Sequence, residues 1–207
     1  MKTLAIDCST EACSIALFDG AALVAHDHRI LGRGHAEQLV PMVQALPDKG
    51  QAERILVALG PGSFTGIRIG IATARALALV WRAEVLGYPT LALVATMARA
   101  QAGAQPVDVA MNGGHGEWFV QPFAANGEPL APVASLVPEE AALAAGASLV
   151  AGTQAEAMVE RRGSGSAYQL HPDACHALDL PDSLLSPQIQ PIYGRAPDAK
   201  PAAQVAR

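Results

Sequence analysis

The densest group of chemically suggestive residues is Gly60-Pro61-Gly62-Ser63-Phe64-Thr65-Gly66-Ile67-Arg68-Ile69-Gly70. It joins a short apolar run to a helical pattern, and the free backbone N–H groups at a helix start can hold an anion. It departs from the known phosphate loops. No Lys-Ser or Lys-Thr follows the glycines, and Thr65 stands where a dinucleotide fingerprint needs its third glycine. Gly62, Gly66, Gly70, Ala74 and Ala78 recur every fourth residue. Such a row of small residues admits a second helix at close range, inside the chain or between chains, or lies on the chain's own sheet.

A second candidate is Asp7-Cys8-Ser9-Thr10, an acid at the end of the first strand followed by hydroxyls. In phosphotransfer sites such an acid holds a metal or its waters, and the turn cradles phosphate. Asp7, Ser9, Thr10 and Ser63 are thus the candidates for binding a nucleotide or anion, and a turn-capping Asp7 is the structural alternative. Phosphotransfer needs a second acid from the other half, where the sequence offers Met111-Asn112-Gly113-Gly114. Of the six histidines, His26 and His28 alternate along a strand without a third ligand nearby in sequence, and His171 and His176 are spaced off a common helix face. There is no HExxH and no recognisable Ser-His-Asp order, so neither a metal site nor a nucleophilic triad is expected. His35 and Glu37 beside Arg33 form a polar helix entrance, either a solvated first turn or the rim of an interface.

The elements that would position these residues fall into two halves. Thr3–Ile6, Cys13–Phe18 and Ala22–His28 read as strands, with Asp19-Gly20 as a hairpin turn. A helix follows with Leu39, Val40, Val43 and Leu46 on one face, beginning late or bending at Pro41. Next come a buried strand at 54–59, a long helix Phe64–Trp81, a strand at 84–87 and a helix capped by Thr90. After Gly103 the order begins again. Strands are expected at 107–111, 117–123 and 130–135, a helix opening at Pro138, a strand at 148–151 and a helix at 154–161. Each half contains the order strand, strand, strand, helix, strand, helix, which predicts an α/β fold of two lobes, each a mixed sheet with helices packed on it. The expected division is 1–102, 103–194 and a flexible tail over 195–207.

The chain has 207 residues, with 14 basic against 19 acidic ones and a net charge of −5, which argues against a stand-alone nucleic-acid binder. Aromatic residues at 4% leave little stacking platform for single strands. Three cysteines without a CxxC pair favour a reducing compartment. The start has no signal-peptide pattern, and the apolar runs 76–81 and 91–98 are short for a membrane span. A soluble, cytoplasmic protein without membrane partners is expected.

Leu4 to Leu17 closely resembles the opening of the TsaB (YeaZ) family, Gly34 to Val43 its first helix, and Gly60 to Gly70 its most diagnostic stretch. The resemblance is strong over roughly the first 100 residues; beyond them it rests on Gly116-Glu117 and Pro191-Ile192-Tyr193. It implies a two-lobed fold similar to actin and the Hsp70 nucleotide-binding domain. It also implies a non-catalytic partner of TsaD, the subunit that transfers threonylcarbamoyl onto the adenosine beside the anticodon of tRNAs reading codons that start with A. TsaE would bind the TsaB–TsaD pair, tRNA would be met through the complex, and the isolated chain would form homodimers. The implied interface lies on the helices after Gly34 and Ser63: His35, Glu37, Leu39, Met42, Gly62, Phe64, Gly66, Arg68, Ile69, Gly70 and Thr73. No cofactor is implied. Met111-Asn112-Gly113 replaces the usual Asp-Ala-Arg, and Gly194 the usual Leu. The His-x-x-x-His of the catalytic branch is missing. Two enzymatic alternatives remain: a nucleotide-dependent phosphotransferase using Asp7, and a metallohydrolase without a recognisable ligand set.

Overall fold

The structure, a computed structural model, describes residues 1–195; the expected tail from residue 196 onward lies outside the described residues. The chain opens with an antiparallel meander, β1 (Lys2–Asp7), β2 (Ala12–Asp19) and β3 (Ala22–Ile30). Gly20 makes the first reversal at φ 58°, a left-handed conformation that glycine adopts without steric cost. Helix α1 (His35–Ala45) leads to β4 (Arg54–Ala58), which joins β1 in parallel, and α2 (Phe64–Trp81) crosses to β5 (Glu84–Tyr88), parallel to β4. The first sheet therefore has the order β3-β2-β1-β4-β5.

Helix α3 (Thr90–Ala102) carries the chain to the second half: β6 (Val107–Gly114), β7 (Glu117–Phe123), β8 (Ala134–Leu136), α4 (Pro138–Ala144), β9 (Leu149–Ala151), α5 (Ala155–Arg162) and β10 (Ser166–Tyr168). The second sheet runs β10-β9-β6-β7-β8. Reversed, it is β8-β7-β6-β9-β10, strand for strand the arrangement of the first. The fold is a two-lobed α/β structure with one topology used twice. The sequence pattern missed β10, which is only three residues long and follows the breaks at Gly163 and Gly165.

Both faces of the first sheet are covered, which is why β1 and β4 read as continuous apolar runs rather than alternating ones. Leu4, Ile6, Ile15, Leu17 and Val57 face α1 and α2. Ala5, Ala16 and Leu56 face α3. Residues 90–98 of α3 are all buried, because the helix is wedged between the lobes and touches Val107, Val109, Met111 and Phe119 on its other side. A helix apolar all round is what such a position requires.

Two local expectations need correction. Thr90 does not cap α3: Pro89 holds the cap position, and the Thr90 hydroxyl is buried without a hydrogen-bond partner. Helix α1 does not start late; it runs from His35 to Ala45 with Pro41 inside it and Gly34 at φ 94° before it. The chain after β10 also leaves the second lobe. Asp173 accepts a hydrogen bond from the Ser14 hydroxyl at 2.9 Å. Ser186 and Gly87 exchange two backbone bonds, and Ile189 enters the core under α2.

Candidate functional site

Ser63 caps α2 by accepting from the Gly66 N–H at 3.2 Å. The glycine row then lies against the chain itself. A Cβ at Gly62 would stand 2.0 Å from the Ser9 carbonyl oxygen, and one at Gly66 2.0 Å from that of Cys8. The row thus seats α2 on the end of β1. Gly66 and Gly70 are buried there and are corrected from direct interface residues to packing residues, while Gly62 is half-buried and also lines the cleft between the lobes; a bulky change at Gly66 acts on the fold. Leu39 and Met42 are likewise buried in the first-lobe core, and His35 is buried with Nε2 at 3.1 Å from the Ala12 carbonyl. Glu37 is exposed, while Arg68, Ile69 and Thr73 are half-buried.

Among the described residues, the opposite side of α2 is open. Phe64 is 64% exposed, Leu79 84% and Val80 77%, with exposed Ala72 and Ala76 in the row leading to Leu79. Exposed Val40 and Pro41 lie on α1, which packs beside α2. The helix is apolar on both sides, so only one of its faces is spent on its own sheet. Its 18 residues have a mean hydropathy of 1.3, enough in length and composition to cross a membrane, with 28% buried. This all-round apolarity is readable in the sequence, and the glycine spacing marks the face that meets β1. At the N-terminal end, the Arg68 guanidinium stacks 3.3 Å from the Phe64 ring centre and donates to the Tyr193 hydroxyl. This ties the face to the returning chain end.

A cleft of about 390 Å³ separates the lobes beside the start of α2, lined by Ser9, Thr10, Ser63, Asn112, His115 and Arg195 among others. Ser9, Thr10 and Ser63 therefore do converge. Asp7 does not join them. Its side chain is buried, accepting from the Ser9 N–H (2.8 Å), the Ser9 hydroxyl (2.6 Å) and the Tyr88 hydroxyl (3.3 Å). Burial pushes its carboxyl up to about 6 against the pull of those donors. Asp7 is thus a turn-forming residue, corrected from its place among the anion ligands. Glu11 is the carboxylate among the residues lining the cleft. Asn112 spends its side-chain oxygen on the Gly114 N–H at 2.9 Å. Among the described residues, the arrangement offers hydroxyls and backbone N–H groups but no opposed pair of acids to hold a metal–phosphate group.

Residues 29–173 match the family model for TsaD, tRNA N6-adenosine threonylcarbamoyltransferase. The tRNA threonylcarbamoyladenosine biosynthesis protein TsaB of Escherichia coli is 41% identical over 124 residues, 58% of this chain and 53% of that protein. The Haemophilus influenzae protein of the same name is 32% identical over 121 residues, 54% of this chain and 51% of that one. The chain therefore aligns with about half the length of these curated relatives. The solved structure of YeaZ from Pseudomonas aeruginosa superposes with a TM-score of 0.80 at 31% identity, covering 93% of this chain and 99% of that one. Likeness over nearly the full length of two chains, in sequence and in backbone, places this chain in the TsaB/YeaZ family, whose named members serve tRNA threonylcarbamoyladenosine biosynthesis.

Proposed function

We propose that this chain is a non-catalytic scaffold that binds a TsaD-type transferase through the outer face of α2 and the adjoining part of α1. It would activate that enzyme for threonylcarbamoyl transfer to the adenosine beside the anticodon. The observation that carries this reading is the uncovered apolar face of α2. Leu79 and Val80 stand in solvent at the end of a row whose centre, Ala72 and Ala76, is small enough for a partner helix to pack closely. The match to a TsaD family model fits a partner of related fold that presents equivalent helices. In isolation the same face would pair two copies of this chain. TsaE and tRNA would engage the assembled pair, in the cytoplasm, and the net charge of −5 leaves most phosphate contacts to the partner.

The phosphotransferase alternative is less well supported, because Asp7 is turned away from the cleft and bonded within its own turn. The test is co-purification with the TsaD-type protein of the same organism. Leu79→Asp should weaken the complex at least ~10-fold, about 1.4 kcal/mol, while leaving unfolding within roughly 0.5 kcal/mol, as for an exposed position. A complex of undiminished affinity in Leu79→Asp and in Ala76→Arg would overturn the assignment of the face.

A further inference from the structure

His26 and His28 lack a third ligand nearby in sequence, but the fold brings one from far along the chain. Asp173 and Cys175, on the segment that returns after β10, meet His26 on β3. One imidazole nitrogen, one carboxylate oxygen and the Cys175 sulfur all lie within 4.8 Å of one another. Among the described residues this is the one such convergence of His, Cys and acidic groups. We infer that His26, Asp173 and Cys175 form a divalent-metal site, suited to zinc, that clasps the returning segment to the first sheet.

The donors are a mixed set of nitrogen, oxygen and sulfur, which favours zinc over the hard cations magnesium and calcium. With bonds of about 2.0–2.3 Å, tetrahedral zinc holds its ligand atoms about 3.3–3.8 Å apart, so the cluster needs to contract by only about 1 Å. His26 Nε2 and Asp173 Oδ2 already stand 3.2 Å apart. The other carboxylate oxygen is fixed from behind by the Ser14 hydroxyl (2.9 Å) and the Cys175 N–H (3.0 Å). Such outer bonds orient a ligating carboxylate. The register of β2 on β3 sets His26 opposite Ala16 and His28 opposite Ser14, on one face of the sheet. The Nε2 of His28 is buried there without a hydrogen-bond partner, an unused imidazole beside the cluster.

Three protein ligands leave a fourth position for water. On binding, the Cys175 thiol gives up its proton to solvent and a metal–sulfur bond replaces the S–H bond. No electron is transferred. Metal capture and loss of the thiol proton are therefore one event.

The experiment uses the full chain stripped with a chelator, titrated with zinc against a chromophoric competitor and, separately, with cobalt(II). The expected result is one zinc per chain and a near-ultraviolet thiolate–cobalt band. Cys175→Ser should abolish the band, and Cys175→Ser and His26→Ala should each weaken zinc binding at least ~10-fold. Zinc should raise the melting temperature of the unmutated chain and not that of the variants. Substoichiometric binding, no cobalt band in the unmutated chain, or variants that bind zinc as it does would each overturn the site. Should a variant fail to fold, the band and the zinc-dependent melting of the unmutated chain still decide. The outcome is independent of partner binding at α2.

Discussion

Gly66 and Gly70 occupy the same row of α2, one turn apart, yet alanine at the two positions should move stability in opposite directions. At Gly66 the added methyl would stand 2.0 Å from the Cys8 carbonyl oxygen. That is about 1.4 Å short of an ordinary carbon–oxygen contact of ~3.4 Å. The obstructing atom is backbone at the end of β1, which cannot rotate aside, so α2 must lift from its seat. Overpacking of this kind costs about 1–3 kcal/mol, and a rigid obstacle places Gly66→Ala near ~3 kcal/mol. For a chain of this size that lowers the melting temperature by about 6–12 °C. At Gly70 the new methyl would meet Cys8 Cβ at 3.6 Å and Val57 Cγ2 at 3.7 Å, ordinary contacts. Alanine is worth about 0.8–1 kcal/mol over glycine inside a helix, so Gly70→Ala should raise the melting point by about 2–4 °C. Thermal unfolding followed by circular dichroism reads both. Shifts of the same sign, or a harmless Gly66→Ala, would refute the seating of α2 on β1.

The folded carboxyl of Asp7 titrates near 6 and the unfolded one near 3.8. The folded chain therefore holds that proton more tightly, and this contribution is complete below pH 4 and lost as pH rises to about 6. Two pH units correspond to about 3 kcal/mol, so Asp7→Asn should stabilise by on the order of 1–2 kcal/mol at pH 8 and far less at pH 4.5. Urea unfolding at the two values checks it, and an equal effect at both would count against the burial argument. Thr90→Val should be neutral or stabilising by up to ~1 kcal/mol, since it removes a buried hydroxyl without a partner. A loss of about 0.5–2 kcal/mol in the same urea assay would instead mark Thr90 as a true cap. Ala76→Arg should turn a homodimer into a monomer in sedimentation while its melting point stays within about 2 °C; an unchanged dimer would move the self-association surface elsewhere.

The repeated topology was legible because signals such as the Asp19-Gly20 hairpin turn and the proline opening α4 are local. Each is decided by backbone preference within a few residues. The candidate site was only half legible. A fourfold spacing of small residues says that something approaches α2 closely, but not which neighbour; β1 takes that place through the Cys8 and Ser9 carbonyls. The exposed side, Ala72, Ala76 and Leu79, repeats at helical spacing as well, and only burial separates the two rows. Asp7 offered the right side chain at a strand end, but its direction depends on Tyr88, eighty-one residues away, and on the Ser9 turn. The cluster of His26 with Asp173 and Cys175 was beyond the reach of sequence, since its parts are 147 residues apart and meet only when the chain returns across β2 and β3.

The central claim is that this chain enables a separate transferase. The direct measurement is threonylcarbamoyl transfer to tRNA by the organism's own TsaD-type protein with its donor-forming partners, with and without this chain. The scaffold account predicts a stoichiometric complex, activity that depends on the chain, and loss of that dependence in Leu79→Asp. A transferase that works equally well alone would contradict it.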